Sequence, residues 1–234
     1  MPQQILTPAG KSIWSHRDCQ FVGDIQPGDC SFVSWRDTEW FLKFKDQSVN
    51  EVIGYQLADF LGLPLQPWLA VELDEEEWMG VEKPNVAILI QKWPTPHWPL
   101  SLERPIAKNP AVVGRALALA TLITDDAEWM SDGRMDEIRL VDLEFCGPAI
   151  TLLESGRWVD LVDGYLEGVR WNVCRCYGLA HGVIDTFFQG IRTIADANLV
   201  EVLDFTAHSR ARVITNAAVS FLKPAQKMIS RILQ

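Results

Sequence analysis

The order of strand-like and helix-like segments constrains the fold of this chain more than any other feature of its sequence. Between residues 31 and 145, short apolar runs bounded by turn signals predict mostly β-strands, with two helical segments among them. From Val183 to Gln234, apolar residues recur at helical spacing, as at Val183, Phe187 and Ile191. Because strands gather early and helices late, without one-by-one alternation, the pattern predicts an α+β fold and not a series of βαβ units.

A β-hairpin is predicted near the N-terminus. Within SFVSWRDTEWFLKFK, residues 31–45, the runs Phe32–Trp35 and Trp40–Phe44 are rich in aromatic and apolar residues. The four residues 36–39 between them are polar and indicate a turn. We therefore expect two antiparallel strands, the second of which ends near Lys43.

A helix is predicted directly after the hairpin, from Glu51 to Leu61, because apolar residues recur there at helical spacing. Ser48 stands three residues before Glu51, which is the spacing of a capping box. Gly62 and Pro64 then predict the end of the helix, since glycine favours the C-terminal cap and proline cannot continue the helix.

A proline-rich connector divides the remaining elements into two groups. Pro67–Leu73 and Asn85–Gln91 predict two further strands, and the five prolines from Pro94 to Pro110 predict a loop that serves as a hinge. We expect three parts: an N-terminal lobe of β-sheet and one helix, a connector, and a mostly helical C-terminal lobe, at residues 1–92, 93–107 and 108–234.

The C-terminal part is expected to begin with a buried helix, Ala111–Ile123, because small and apolar residues occupy nearly all of its positions. A polar, acidic loop is predicted at 124–137, followed by an apolar strand, Ile138–Phe145. The mixture of charged and aromatic residues at 160–175 predicts a surface helix. Later helices are predicted at about 197–205, 209–222 and 225–233.

The negative net charge limits the kinds of molecule that the chain is expected to bind. Asp and Glu total 31, Lys and Arg total 21, and the formal net charge is −10. Long-range repulsion therefore disfavours nonspecific binding to nucleic acid or to an anionic membrane, but it allows one local basic pocket, which is all that a nucleotide needs.

No apolar run approaches the roughly 18–20 residues of a membrane span. Met1–Lys11 lacks the pattern of a signal peptide. The five cysteines are scattered along the chain, which is typical of reduced thiols. We therefore expect a cytoplasmic protein.

Three segments carry residues whose chemistry suits phosphate and metal. Lys43 lies in the apolar strand FLKF, Glu51 opens the next helix, and Asp142 comes late in the acidic strand IRLVDLEF. In phosphoryl transfer, a strand lysine held by a helix glutamate contacts phosphates, and a strand-end aspartate holds Mg²⁺. Each residue also has a structural alternative when taken alone, because strand lysines often reach solvent from an edge and strand-end aspartates often act as caps.

The segment LKFKDQSVNEVIGYQLADFLGLPLQP, residues 42–67, resembles HipA-like kinases, in which a VVKF strand leads to NE, a helix and LGLPVP. Residues 118–145 resemble the family's buried helix, catalytic loop and LIDHGxAF strand, with VDLEF as the counterpart of its end. The resemblance implies a two-lobed protein-kinase-like fold. It also implies an ATP- and Mg²⁺-dependent phosphotransferase that acts on a Ser or Thr hydroxyl of a protein. By this resemblance, Lys43 contacts the ATP phosphates, Glu51 pairs with Lys43, and Asp142 holds Mg²⁺.

The chain departs from this family in the catalytic loop. The family's loop reads roughly NxDRHPGN, with a base aspartate and a metal-binding asparagine five residues later, whereas residues 124–132 read TDDAEWMSD. If Asp132 takes the asparagine place, Ala127 falls at the base position and cannot accept a proton. If Asp126 is the base, the asparagine place falls on Ser131, unless one inserted residue restores Asp132. Asp126 is the candidate base and Asp132 a candidate second metal ligand.

Three functional hypotheses follow from these observations. The first is an active kinase-like phosphotransferase. The second is a pseudokinase that binds nucleotide or protein without catalysis, which the altered loop and the lack of a convincing glycine-rich phosphate loop favour. The third is a non-kinase interaction protein, whose acidic, tryptophan-rich surface binds a basic partner.

Overall fold

The protein is described from a computed structural model. The described residues are 5–6, 12–15, 20–21, 30–35, 37–43, 48–72, 86–92, 98–99, 109–123, 128–131, 138–141, 143, 180–203, 216, 219–220, 222–224, 226–227 and 229–230. The statements below concern these residues.

A seven-stranded sheet forms the first part of the fold. Its strands are β1 (Ile5–Leu6), β2 (Ser12–Ser15), β3 (Gln20–Phe21), β4 (Cys30–Trp35), β5 (Thr38–Lys43), β6 (Trp68–Glu72) and β7 (Val86–Gln91). They lie in the order β1-β2-β6-β7-β5-β4-β3. Neighbouring strands are antiparallel except β2 and β6, which are parallel. The sheet is therefore antiparallel, as expected, apart from one parallel pair.

The predicted hairpin is present as β4 and β5, but its turn is tighter than the sequence indicated. The register runs from Cys30 opposite Lys43 to Trp35 opposite Thr38, so Thr38 and Glu39 belong to the strand and not to the turn. Asp37 adopts a left-handed conformation with φ of 58°. Aspartate tolerates this region better than larger residues do, and a two-residue hairpin loop needs positive φ angles. The short loop fixes which residue of β4 faces each residue of β5.

The predicted helix follows as α1, Ser48–Phe60. Ser48 is its first helical residue. The helix ends in a Schellman motif, in which the Leu63 N–H donates to the Ala58 carbonyl at 3.0 Å and the Gly62 N–H donates to the Asp59 carbonyl at 2.9 Å. Gly62 has a φ of 63°, which glycine adopts without steric cost. The predicted stop at Gly62 is confirmed.

Gly62→Ala is expected to lower the free energy of unfolding by about 1 kcal/mol, because a Cβ is strained in the left-handed region. Space is not the cause, since nothing lies within 4 Å of a Cβ built at this position. Gly62→Asn should cost less, because asparagine tolerates this conformation. Urea unfolding of both variants measures the difference, and equal stability of Gly62→Ala and the wild type would contradict the assignment.

Helix α1 packs on one face of the sheet. Ala70 on β6 lies opposite Ile88 on β7, and both belong to the same buried cluster as Val52 and Tyr55 of α1. Lys43 also lies opposite Ile88, so its side chain emerges on the face that α1 covers. The strand alternation that buries Leu42 on one face thus directs Lys43 towards α1.

Two long helices form the second part of the core. They are α2 (Pro110–Ile123) and α3 (Ala180–Asp196), and a short helix, α4 (Leu199–Val202), follows. Asn109 caps α2, since its Oδ1 accepts a hydrogen bond from the Val112 N–H at 3.2 Å, and Pro110 occupies the first helical position. The described residues between 216 and 230 are also helical. The predicted surface helix at 160–175 lies outside the described residues.

A second sheet contains two strands that the sequence did not predict. It consists of β8 (Trp98–Pro99), β9 (Glu128–Ser131) and β10 (Ile138–Val141), in the order β10-β9-β8 and antiparallel throughout. Residues 98–99 and 128–131 had both been predicted as loop, and for these residues that prediction was wrong. Neither segment has a period-two pattern of its own. Backbone pairing with β10, which was predicted as a strand, holds β9 in place.

The fold class is α+β, as the sequence predicts. Buried apolar residues from α1, β6, β7 and the three later helices form one cluster. No helix within the described residues is long and apolar enough to cross a membrane. The proposed boundaries at 93–107 stay a prediction.

Candidate functional site

The candidate site is centred on an ion pair between β5 and α1. The Lys43 ammonium Nζ lies 2.7 Å from Glu51 Oε1 and donates a hydrogen bond to it. The Lys43 side chain is 20% exposed and that of Glu51 is 6% exposed, so the glutamate is buried and the lysine keeps some contact with solvent. The structure therefore contains the ion pair that the resemblance implies.

The local sequence explains why these two charges meet. Lys43 is the last residue of β5 and Glu51 lies in the first turn of α1, only eight residues later. The strand directs Lys43 towards the helix, and the helix N-terminus favours a negative charge at Glu51. The partial positive charge of the helix end and the Lys43 ammonium thus both stabilise the ionised carboxylate.

The arrangement can bind an anion. An ammonium group has three donors and no acceptor, so Lys43 can donate to Glu51 and to a second negatively charged group together. Since its side chain retains some exposure, an approaching phosphate could reach the ammonium from the solvent side. Glu51 meanwhile holds the flexible lysine side chain in one place, which lowers the conformational entropy lost on binding.

An aromatic surface lies beside the ion pair on the same face of β5. Phe41 is two residues before Lys43, and its ring centroid lies 5.4 Å from that of Phe32 in a tilted arrangement. Both rings are half-buried. The Lys92 Nζ lies 5.3 Å above the centre of the Phe32 ring and pairs with Glu39 at 2.5 Å. The half-buried rings offer apolar area to a planar ligand group next to the cation.

Strand β10 is fastened to the segment that follows α1. The Leu140 N–H donates to the Pro64 carbonyl at 2.8 Å, and Leu65 and Leu140 form a β-bridge. Next to this bridge, Arg139 Nη1 donates to Oε1 of the buried Gln66 at 3.0 Å. Gln66 Nε2 in turn donates to the Gln91 carbonyl at 2.7 Å. One buried amide therefore links β10 to the end of β7.

The chain after β10 lies against α1. Leu143 is fully buried in the cluster that contains the apolar face of α1. A Cβ built on Gly54 of α1 would overlap the Leu143 carbonyl oxygen and would lie 3.1 Å from its carbonyl carbon. Gly54 is three residues after Glu51, so both lie on the same side of the helix. The backbone at Leu143 thus approaches α1 about one helical turn from the ion pair.

Sequence reasoning overlooked Gln66, Arg139 and Gly54. A glycine inside a helical pattern is a recognised signal of close packing, so Gly54 could have been noticed. Gln66 and Arg139 carry no comparable local signal, because their partners lie far away in the chain.

The remaining predicted site residues, Asp126, Asp132 and Asp142, lie outside the described residues, although Val141 and Leu143 on either side of Asp142 are described. Within the described part of the chain, no group of three or more His, Cys, Asp or Glu side chains could hold a metal ion. The predicted roles of the base and the metal ligands therefore stay predictions, as do the predicted roles of Lys43 and Glu51 in binding nucleotide.

Comparison with known proteins gives only distant likenesses, and these are to solved structures. No family model matches the chain, and no curated protein matches it. Among solved structures, the chain is similar to a Helicobacter pylori proinflammatory kinase, CtkA, with 10% sequence identity and a TM-score of 0.40. The similarity covers 90% of this chain and 97% of that one. A TM-score of this size does not establish a common fold.

Proposed function

We propose that this protein is a kinase-like phosphotransferase that binds ATP with Mg²⁺ and transfers phosphate to a Ser or Thr hydroxyl of a protein. The observation that carries the proposal is the Lys43–Glu51 ion pair, in which the glutamate side chain is buried and the lysine side chain is 20% exposed. Phosphoryl transfer depends mainly on positioning and on charge stabilisation, and a lysine fixed by a helix glutamate supplies both. The resemblance of residues 42–67 to HipA-like kinases supports the same function.

In this proposal, the nucleotide lies between an N-terminal lobe, residues 1–92, and a helical lobe, residues 108–234, joined by the connector at 93–107. Lys43 contacts the phosphates, and Glu51 keeps its ammonium in place. The half-buried rings of Phe32 and Phe41 would contact the base, because they lie on the same face of the sheet as Lys43. The cytoplasm is the proposed compartment, because it supplies ATP and keeps dispersed cysteines reduced.

Asp142 is the proposed Mg²⁺ ligand, with Asp132 as a second ligand and Asp126 as the base that accepts the hydroxyl proton. Carboxylate oxygens are the ligands that Mg²⁺ prefers, and the bound ion would neutralise negative charge on the phosphates. This role is supported by the next residue in the chain, Leu143, whose backbone lies against Gly54, one helical turn along α1 from Glu51.

A pseudokinase is the second candidate, and strand β9 favours it. Residues 128–131, which the resemblance assigns to the catalytic loop, form a strand paired on both sides with β8 and β10. Backbone groups engaged in a sheet are less able to arrange a base and a metal ligand around a substrate. In this alternative, the same ion pair binds nucleotide, but no phosphate is transferred.

The proposal predicts stabilisation by ATP with Mg²⁺ and turnover that depends on Asp142. At a nucleotide concentration one hundred times Kd, binding should raise the free energy of unfolding by about 2.7 kcal/mol, which a thermal-shift assay detects. Labelled ATP should give autophosphorylation or nucleotide turnover. Asp142→Asn should abolish this turnover, because an amide replaces the proposed charged ligand of Mg²⁺.

The results of these two assays distinguish an active kinase from a pseudokinase. Stabilisation without turnover would favour the pseudokinase, whereas equal turnover by the wild type and Asp142→Asn would contradict catalysis at this site. If no nucleotide stabilises the protein, both candidates are wrong and the acidic interaction protein is favoured. Asp59→Asn serves as the control, because Asp59 is an exposed carboxylate near the other end of α1.

A further inference from the structure

Three side chains lie in a row along β5, on the face that carries Lys43. Residues 39, 41 and 43 alternate with the buried Trp40 and Leu42, so Glu39 and Phe41 share the face of Lys43. Because a strand rises about 3.3 Å per residue, Glu39 lies about 13 Å along β5 from Lys43. An extended nucleotide with its phosphates at Lys43 and its base at Phe41 would therefore end near Glu39.

At this end of β5, the Glu39 carboxylate and the Lys92 ammonium form an ion pair beside the aromatic rings. The Lys92 Nζ donates to Glu39 Oε2 at 2.5 Å and lies 5.3 Å above the centre of the Phe32 ring. Both charged side chains are about half exposed, so a ligand can reach them from the solvent. The bond engages Oε2 of Glu39, which leaves Oε1 to accept a hydrogen bond from a ligand.

The backbone groups at the end of β7 are engaged within the protein. The Lys92 N–H donates to the Glu39 carbonyl at 3.0 Å. The Gln91 N–H donates to the Pro67 carbonyl at 2.8 Å, and the Gln91 carbonyl accepts from Gln66 Nε2 at 2.7 Å. Among the described residues at this end of the sheet, recognition of a ligand therefore falls to the side chains of Glu39 and Lys92.

We infer that Glu39 and Lys92 give the proposed nucleotide site its specificity for adenine. The exocyclic amine of the base donates to Glu39 Oε1, and the Lys92 ammonium donates to a neighbouring ring nitrogen. This inference rests on the proposed function, because it names the base that the same site selects.

The hydrogen-bonding pattern of adenine carries this assignment. Adenine presents an amine donor next to a ring-nitrogen acceptor, and a carboxylate beside an ammonium is the complementary pair. A base with a carbonyl in place of the amine would, in the same orientation, bring its oxygen against the Glu39 carboxylate, two acceptors with no proton between them. The ion pair holds the two side chains together before the ligand arrives, which lowers the conformational entropy lost on binding.

The test compares ATP with purine riboside triphosphate, which has a hydrogen in place of the adenine amine and is otherwise identical. Calorimetry gives both Kd values for the wild type and for each variant, with Mg²⁺ at one fixed concentration. Because the two ligands share their ribose and triphosphate, the contributions of the phosphates and of any metal cancel in the ratio of the Kd values. The wild type should bind ATP about tenfold or more tightly, the factor that one charge-assisted hydrogen bond contributes.

Glu39→Met should bring the two Kd values close to equality, because methionine has a similar length but no carboxylate to accept from the amine. Asp37→Asn is the matched control. It removes the same charge from the turn of the same hairpin, and asparagine tolerates the left-handed backbone at this position. The control should keep the preference for ATP. Urea unfolding should show that both variants fold, since exposed charges contribute little to stability.

The results distinguish failure of this inference from failure of the proposed function. If the wild type binds both triphosphates equally, or if Glu39→Met keeps the preference for ATP, the inference is wrong and the proposed function stands. Loss of the preference in Asp37→Asn as well would mean that net charge determines it, and would also overturn the inference. If the wild type binds neither triphosphate, the proposed function fails and the assignment of Glu39 and Lys92 fails with it.

Discussion

Lys43→Met is expected to lower the free energy of unfolding by about 4 kcal/mol, although methionine is similar in size to lysine. The substitution leaves the carboxylate of Glu51, whose side chain is 6% exposed, without the ammonium that now lies 2.7 Å away. Removal of one partner from a buried ion pair costs roughly 3–5 kcal/mol, because the remaining charge has lost its solvation by water and its counter-charge. Urea unfolding measures the loss.

The double variant Lys43→Met/Glu51→Leu separates stability from ligand binding. Replacement of both charges by apolar groups should restore most of the lost stability, since a buried ion pair contributes little relative to well-packed apolar residues. On the proposed function, the double variant should nevertheless show no stabilisation by ATP, because the proposed phosphate-binding cation is gone. Full ATP stabilisation of this folded double variant would exclude Lys43 from the proposed site.

Lys92→Met provides the matched control for Lys43→Met. Lys92 also pairs with a glutamate, Glu39, but the two side chains are 48% and 51% exposed. Exposed ion pairs contribute roughly 0–1 kcal/mol, so this variant should remain close to the wild type. Similar losses for Lys43→Met and Lys92→Met would mean that burial of Glu51 does not determine the effect.

Gln66→Met is expected to lower the free energy of unfolding by about 3 kcal/mol. The buried amide of Gln66 donates to the Gln91 carbonyl and accepts from Arg139, and methionine can do neither. Loss of a buried hydrogen-bonding group costs roughly 1–3 kcal/mol, and the upper end is expected here because the substitution removes a donor and an acceptor together. Urea unfolding of Gln66→Met measures the loss.

Arg139→Met distinguishes the two hydrogen bonds of Gln66. It removes the donor to Gln66 Oε1 but keeps the bond from Gln66 Nε2 to the Gln91 carbonyl, so its effect should be smaller than that of Gln66→Met. A Gln66→Met protein as stable as the wild type would show that the amide does not hold β10 and β7 together.

The hairpin and the helix α1 were predictable because their signals are local. Aromatic strands around a polar turn indicated β4 and β5, and helical spacing followed by Gly62 indicated α1 and its end. The Lys43–Glu51 contact could be predicted for the same reason. Lys43 ends β5, and Glu51 lies in the first turn of α1, the next element along the chain. Its function was a separate inference, drawn from resemblance, and stays a prediction.

Strand β9 and the parallel pairing of β2 with β6 had no such signals. Glu128–Ser131 lies in an acidic stretch that favours a loop by composition, and only its pairing partners make it a strand. Ser12–Ser15 pairs with a strand more than fifty residues away, and no local pattern specifies that partner. Register between distant segments depends on tertiary packing, which one sequence does not display.

The contacts near the proposed site differ in the number of residues that separate the two partners. Lys43 and Glu51 are separated by eight residues, whereas Arg139 and Gln66 are separated by 73. A nascent chain emerging from the ribosome therefore contains both members of the ion pair long before it contains residue 139. Because closure of long loops slows folding, the contacts that Arg139 and Leu143 make with Gln66 and Gly54 should form after the Lys43–Glu51 ion pair. An unfinished polypeptide could thus hold the Lys43 ammonium beside Glu51 while it still lacks Arg139 and Leu143.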